Sequence, residues 1–207
     1  MPLTWIFDLD NTLHDTNSKI FPVINKKMAQ YISQKIGVSS AQANIIREDY
    51  WNKYGSTLRG LIKNYHINPA QFLEETHHLP NINELICPMR NLRRTLRSLK
   101  GRKIIFTNGP KNYALTVLRL SGILIYFDEI HSIEDSLLNG KPSHSGMRQF
   151  LSKHKIKNAV FIDDERLNLR TANRYGLKTV WLNQGSKKPN YISQKIRHLD
   201  DLLTLKV

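Results

Sequence analysis

Short apolar runs alternate with helical stripes along much of the chain. Residues 3–7 (LTWIF) stop at Asp8, and Arg102–Phe106 (RKIIF) stops at Thr107-Asn108-Gly109. Residues 159–162 (AVFI) stop at Asp163-Asp164, and Lys178–Leu182 (KTVWL) stops at Asn183-Gln184-Gly185. These runs are rich in Ile, Val and aromatics and lack polar alternation, so they read as strands buried on both faces. Between them lie residues at helical spacing. Leu92, Leu96 and Leu99 precede the second run, and Met147, Phe150 and Leu151 precede the third. Ala114, Leu115, Leu118 and Leu120 lead to Gly122, placed to end a helix, and a stretch over 167–175 leads to Gly176. Strand alternating with helix predicts an α/β fold with a parallel sheet. Ligands bind such sheets beyond the carboxyl ends of the strands, where the polar residues just named converge.

Residues 16–88 break the pattern. Ile20, Val23, Ile24, Met28, Tyr31 and Ile32 form one helical stripe running up to Gly37. Ser39-Ser40-Ala41-Gln42 reads as an N-cap with a glutamine at the third helical position, opening a helix towards Tyr54. Further helical stretches fall near 56–65 and 69–77. The expected organisation is therefore a core of residues 1–15 and 89–207, interrupted by an all-helical insertion over 16–88.

Composition narrows the class. The 207 residues are 40% hydrophobic and 23% charged, which excludes disordered and fibrous chains. The single cysteine, Cys87, excludes a disulfide framework and a Cys-rich zinc site, and fits a reducing, cytoplasmic setting. No apolar run approaches the ~18–20 residues of a membrane span. The first residues, Met1 to Phe7, carry no basic segment of the kind that opens a signal peptide. The unusual quantity is the formal charge of +14, with a pI near 9.9. Residues 1–90 hold nine Lys or Arg against eight acids, so almost all of the excess lies in residues 91–207. A balance this basic suits an anionic partner, either a nucleic acid or a small phosphorylated molecule.

Three strand ends and one loop lysine carry the candidate chemistry. Asp8 and Asp10, two apart at the end of the first run, are expected to point to one side. Like charges this close need a cation or a proton between them, although Asp-Asn-Thr is also ordinary turn chemistry. Asp163 and Asp164 end another run. Alone they read equally well as helix N-cap residues, but in a parallel sheet all four carboxylates would meet at one edge. Thr107 and Asn108 precede Pro110, which suits the first helical position, so backbone N–H groups there would bind phosphate or simply be capped. Lys141, before a helix that Pro142 can open, is a point charge suited to phosphate, or one of 31 basic residues.

Taken in order, Asp8-x-Asp10-x-Thr12, Thr107, Lys141-Pro142 and Asp163-Asp164 resemble the four motifs of the haloacid dehalogenase superfamily across the whole chain. The segments FDLDNTLH (7–14), YWNKYGSTLRGL (50–61), IIFTN (104–108) and FIDD (161–164) are similar to its yeast- and plant-type pyrimidine 5′-nucleotidase branch. This sequence departs from that branch at His14, where tyrosine is usual, and at Ser143-His144-Ser145. The resemblance implies a Rossmann-like core with a helical C1 cap domain, the insertion over 16–88. It also implies Mg²⁺-dependent phosphomonoester hydrolysis through an aspartyl-phosphate. Asp8 would be the nucleophile. Asp10 would protonate the leaving oxygen and then deprotonate the hydrolytic water. Mg²⁺ would be held by Asp8, the Asp10 carbonyl and Asp163 or Asp164, with the pair unranked. Thr107 and Asn108 would hold phosphoryl oxygens, Lys141 would offset negative charge, and Arg59 in the cap would meet the substrate. The implied substrate is a pyrimidine nucleoside 5′-monophosphate.

Two other readings stand beside this one. The first is a phosphatase of the same superfamily acting on a sugar phosphate. The second is a non-catalytic nucleic-acid binder, supported by six basic residues and no acid over 93–103. That run is also what the solvent face of an amphipathic helix looks like, and no nucleic-acid-binding signature accompanies it.

Overall fold

A computed structural model describes residues 3–185 and 187–205; Met1 and Pro2, the start of the segment read for a leader, lie outside it. The described chain forms two compact units, one of them Asn17–Leu85 and the other the remaining residues.

The larger unit is built on six strands: β1 (Thr4–Phe7), β2 (Arg102–Phe106), β3 (Glu129–His131), β4 (Ala159–Asp163), β5 (Lys178–Leu182) and β6 (Gln194–Ile196). All pair parallel, in the order β3-β2-β1-β4-β5-β6. The four apolar runs are the four inner strands. The two strands absent from the sequence reading, β3 and β6, are three-residue edge strands, too short and too polar (EIH, QKI) to form an apolar run. Register decides where the site lies. Phe7 stands beside Ile105 and Ile162, and the Asp8 N–H donates to the Ile162 carbonyl at 2.9 Å. Asp8, Thr107 and Asp163 therefore leave the sheet at the same edge. The chain order reverses on either side of β1, which is where α/β sheets open a crevice.

The helices of this unit are α6 (Leu92–Ser98), α7 (Lys111–Leu120), α8 (His144–Lys153) and α9 (Arg166–Arg174). Leu92, Leu96 and Leu99 are buried, so Arg93, Arg94 and Arg97 form the outer face of α6 and Lys100 follows it exposed, whereas Arg102 and Lys103 belong to β2 and Lys103 is buried. Pro110 stands one position before α7 and not inside it; α8 opens from the Ser143 hydroxyl, which accepts the Gly146 N–H, and not at Pro142. The core under the sheet is aromatic. Phe106 and Phe150 stack at 4.3 Å, and Phe161 packs beside Phe106.

A buried polar chain runs through this core. His131 Nδ1 lies 2.9 Å from His154 Nε2, His131 Nε2 lies 3.0 Å from Ser136 Oγ, and His154 Nδ1 lies 2.6 Å from Glu129. Burial, reinforced by His154, pushes the His131 pKa down to about 4, with Asp135 and Glu129 opposing and Lys153 adding to the shift. Burial also lowers His154. A histidine depressed in the fold contributes stability above its unfolded pKa near 6.5 and loses it as pH falls towards 4. The unfolding free-energy difference between the protein and a His131→Asn variant is therefore expected to shrink between pH 7.5 and 4.5. A difference constant with pH contradicts the depressed His131 pKa.

The smaller unit is helical: α1 (Ile20–Ile36), α2 (Ser40–Tyr54), α3 (Thr57–Tyr65), α4 (Pro69–His77) and the single turn α5 (Ile82–Leu85). The expected capping box is present, Ser39 receiving the Gln42 N–H while the Gln42 side chain accepts the Ser39 N–H. Tyr31 of α1 meets Phe72 of α4 edge-on at 5.2 Å. Gly60 is required where α3 crosses α2, since a Cβ there would fall 2.3 Å from the Tyr50 ring. No helix among the described residues is long and apolar enough to cross a membrane.

Candidate active site

Lys141 is the centre of the site. Its side chain is 1% exposed, and its ammonium donates to Asp8 Oδ1 at 2.6 Å and to Asp163 Oδ2 at 2.8 Å. The faces of Phe106 and Phe161 flank it at 5.5 and 5.4 Å. Burial alone would lower its pKa, but Asp163 and Asp8 outweigh burial and hold it above the ordinary lysine value. The ammonium is a fixed positive charge.

The lysine is delivered by a tight loop. The Lys141–Pro142 peptide is cis. The Asn108 carboxamide brackets Lys141, accepting its N–H and donating to its carbonyl, both at 2.8 Å. Gly140 permits this, because a Cβ there would lie 2.1 Å from the Asn108 oxygen. Asn108, expected to hold phosphoryl oxygens, thus applies its side chain to the lysine loop. Thr107 is buried, and its oxygen accepts the Gly109 N–H at 2.9 Å, which leaves its hydroxyl proton to donate.

Asp8 also accepts the Thr12 hydroxyl at 3.0 Å. The turn that brings Thr12 back runs through Asn11 at φ 57°, with the Asn11 side chain accepting the Thr16 N–H. Asp163 is fully buried and saturated: Lys141, the Glu165 N–H and the Asn168 amide all donate to it. Asp164 is half-buried, and its backbone is fixed by the Trp181 indole, which donates to its carbonyl at 2.8 Å.

Asp8, Asp163 and Asp164 offer carboxylate oxygens within 4.8 Å of one another. Three carboxylates face one lysine. Burial, together with Asp163 and Asp10 and against Lys141, pushes Asp8 up to about 7. Burial, with Asp8, Asp163 and Glu165, pushes Asp164 up to about 8. The cluster is short of positive charge, and an all-oxygen donor set of this kind suits a hard divalent cation.

The fourth carboxylate does not join this group. Tyr113 of α7 donates its hydroxyl to Asp10 Oδ1 at 2.6 Å, and His14 Nε2 lies 3.0 Å from the same oxygen. Burial, and then the Asp10 charge, raise the Tyr113 phenol well above 10, so it serves as a donor. Sequence reasoning missed Tyr113 and Asn168, and it gave His14 no role in the site. The i,i+4 spacing of Asp10 and His14 was the one available signal. Arg59 belongs to the helical unit, exposed on α3, with no acidic side chain paired to it among the described residues.

A haloacid dehalogenase-like hydrolase model matches residues 5–182. The chain belongs to that family. Among solved structures, a phosphatase of the family from Thermococcus onnurineus superposes with a TM-score of 0.70 at 22% identity, over 99% of this chain and 97% of that one. The magnesium-bound hydrolase YfnB of Bacillus subtilis gives 0.65 at 18% identity, covering 98% and 97%. The L-2-haloacid dehalogenase of Xanthobacter autotrophicus gives 0.62 at 12% identity, covering 98% and 97%. At these identities the likeness is one of fold, and it spans phosphatase and dehalogenase alike. Phosphate metabolism protein 8 of Saccharomyces cerevisiae is 29% identical over 199 residues, or 84% of this chain. The match spans 59% of that protein's length. Within the family, the choice of chemistry rests on the site.

Proposed function

We propose that the protein is a Mg²⁺-dependent phosphomonoester hydrolase that works through an aspartyl-phosphate on Asp8, with a pyrimidine nucleoside 5′-monophosphate as substrate. One observation carries the reading: a separate carboxylate, Asp10, is held beside the lysine-braced Asp8. A halide leaves without a proton, whereas the alkoxide of a phosphomonoester needs one.

In this reading an Asp8 oxygen attacks phosphorus, the bond to the leaving oxygen breaks, and that oxygen takes the Asp10 proton. Water then attacks the phosphoryl group as Asp10 removes its proton, and the bond to Asp8 breaks. Asp8, Asp164 and the Asp10 carbonyl would hold Mg²⁺, which would supply charge neutralisation for the phosphoryl group. Asp163 is committed to Lys141 and Asn168, so Asp164 is the better placed of the pair as a ligand. Thr107 donates to a phosphoryl oxygen, and Asn108 acts by seating Lys141. The helical unit is the cap, with Arg59 exposed there to meet an anion. The magnesium in YfnB and the name of the yeast relative are consistent with this chemistry.

The test is turnover of UMP, CMP, AMP and sugar phosphates with Mg²⁺ and with chelator. Release of phosphate from UMP and CMP well above the others, abolished by chelation, is expected. Preference for a sugar phosphate overturns the nucleotide assignment, and metal-independent turnover overturns the Mg²⁺ assignment.

A further inference from the structure

Among the described residues, both side-chain partners of Asp10 address one of its oxygens. Tyr113 Oη and His14 Nε2 both address Oδ1, at 2.6 and 3.0 Å. The two donors come from unrelated parts of the chain, α7 and the turn after β1. Neither has room to drift. Tyr113 is 4% exposed, and its ring lies 3.1 Å from where a Cβ of Gly109 would stand, so the glycine lets it approach. His14 is fully buried, with its backbone bridged to Asp10 and to Pro88.

The histidine's own chemistry sets its role. Its Nδ1 is buried without a hydrogen-bond partner. A proton placed there would be a buried, unsatisfied donor, which costs more than an unshared lone pair. The proton therefore sits on Nε2 and is donated to Asp10. With both partners converging on Oδ1, Oδ2 is the Asp10 oxygen left to exchange a proton with the substrate or water.

We infer that Tyr113 and His14 are positioning residues that aim the proton of Asp10, by occupying Oδ1 and leaving Oδ2 as the only oxygen that gives and takes it. The inference rests on the hydrolase reading above and deepens it. The arrangement serves both half-reactions. The proton on Oδ2 goes to the leaving oxygen as the phosphorus–oxygen bond breaks, and the emptied Oδ2 then takes a proton from water.

The test separates aiming from mere support by the leaving group. kcat/KM reports the step in which the leaving group departs, and proton donation matters there only when the departing oxygen is strongly basic. Tyr113→Phe removes a single oxygen atom. It is expected to lower kcat/KM for a nucleoside 5′-monophosphate by about 10–100-fold, but for p-nitrophenyl phosphate by no more than about threefold. His14→Leu is expected to give the same skewed pattern, and His14→Gln, which keeps a donor near Nε2, to restore the parent ratio. Equal losses on both substrates, or no loss, overturn the inference. Asp8→Asn run in parallel keeps the two claims apart. If it retains turnover, the hydrolase reading fails. If it is inactive while Tyr113→Phe shows no skew, only the positioning claim fails.

Discussion

Replacing Lys141 by methionine is expected to cost both turnover and fold stability, and added Mg²⁺ is expected to return part of the stability. The lysine donates to two buried carboxylates, at 2.6 and 2.8 Å, and supplies their shared counter-charge. Methionine keeps the packing between Phe106 and Phe161 but leaves Asp8 and Asp163 without their cation. Breaking a buried pair by removing one partner costs about 3–5 kcal/mol. The lower end is expected here, because Thr12, Asn168 and the Glu165 N–H still donate to the orphaned oxygens. A divalent cation then becomes the remaining counter-charge for the cluster. Urea unfolding with and without Mg²⁺ should show a larger metal-induced gain in Lys141→Met than in the parent. A variant as stable as the parent, or one indifferent to metal, contradicts the view that charge compensation organises the site.

The second large effect goes the other way for stability. Asp8→Asn is expected to reduce turnover by at least ~10⁴-fold, because the proposed mechanism forms its covalent intermediate on the Asp8 carboxylate. The same change removes one negative charge from three crowded carboxylates while leaving an acceptor for Lys141. The metal-free variant should therefore unfold at an equal or higher denaturant concentration than the parent. An inactive variant that is also strongly destabilised would make the loss of activity uninformative about the nucleophile. Retained turnover would remove Asp8 from that role.

Much of this layout is visible in the amino-acid order. The inner strands are legible because a strand buried on both faces must be continuously apolar, as IIF and AVFI are. Their polar ends locate one edge of the sheet once the strands are taken as parallel. Edge strands escape because three residues facing partly to solvent carry no period. In the site, Asp8, Asp163, Asp164 and Lys141 converge as the strand-end argument expects. Three of the four carboxylates bring oxygens within 4.8 Å of one another, while the Asp10 side chain, close enough to help raise the Asp8 pKa, is bonded by Tyr113, 103 residues away in sequence. Asn108 shows the same limit. A polar residue at a strand end looks like a ligand, and only the 2.8 Å bracket around Lys141 shows where its amide is used. Asn168 looks like an ordinary helix residue until α9 lays it against Asp163. The formal charge of +14 proved the least specific signal. Of the six cations over 93–103, Arg93, Arg94, Arg97 and Lys100 lie on and just after α6, around its buried leucines, and Arg102 and Lys103 belong to β2.

The central claim is that Asp8 carries the phosphoryl group. The direct measurement is acid quenching of the protein during turnover of a ³²P-labelled nucleoside monophosphate with Mg²⁺, followed by peptide mapping of the label. The account predicts a label on the peptide containing Asp8 that is released by hydroxylamine, as an acyl phosphate is, and is absent in Asp8→Asn. Phosphate release with no label on that peptide at any quench time, together with turnover surviving in Asp8→Asn, would contradict it.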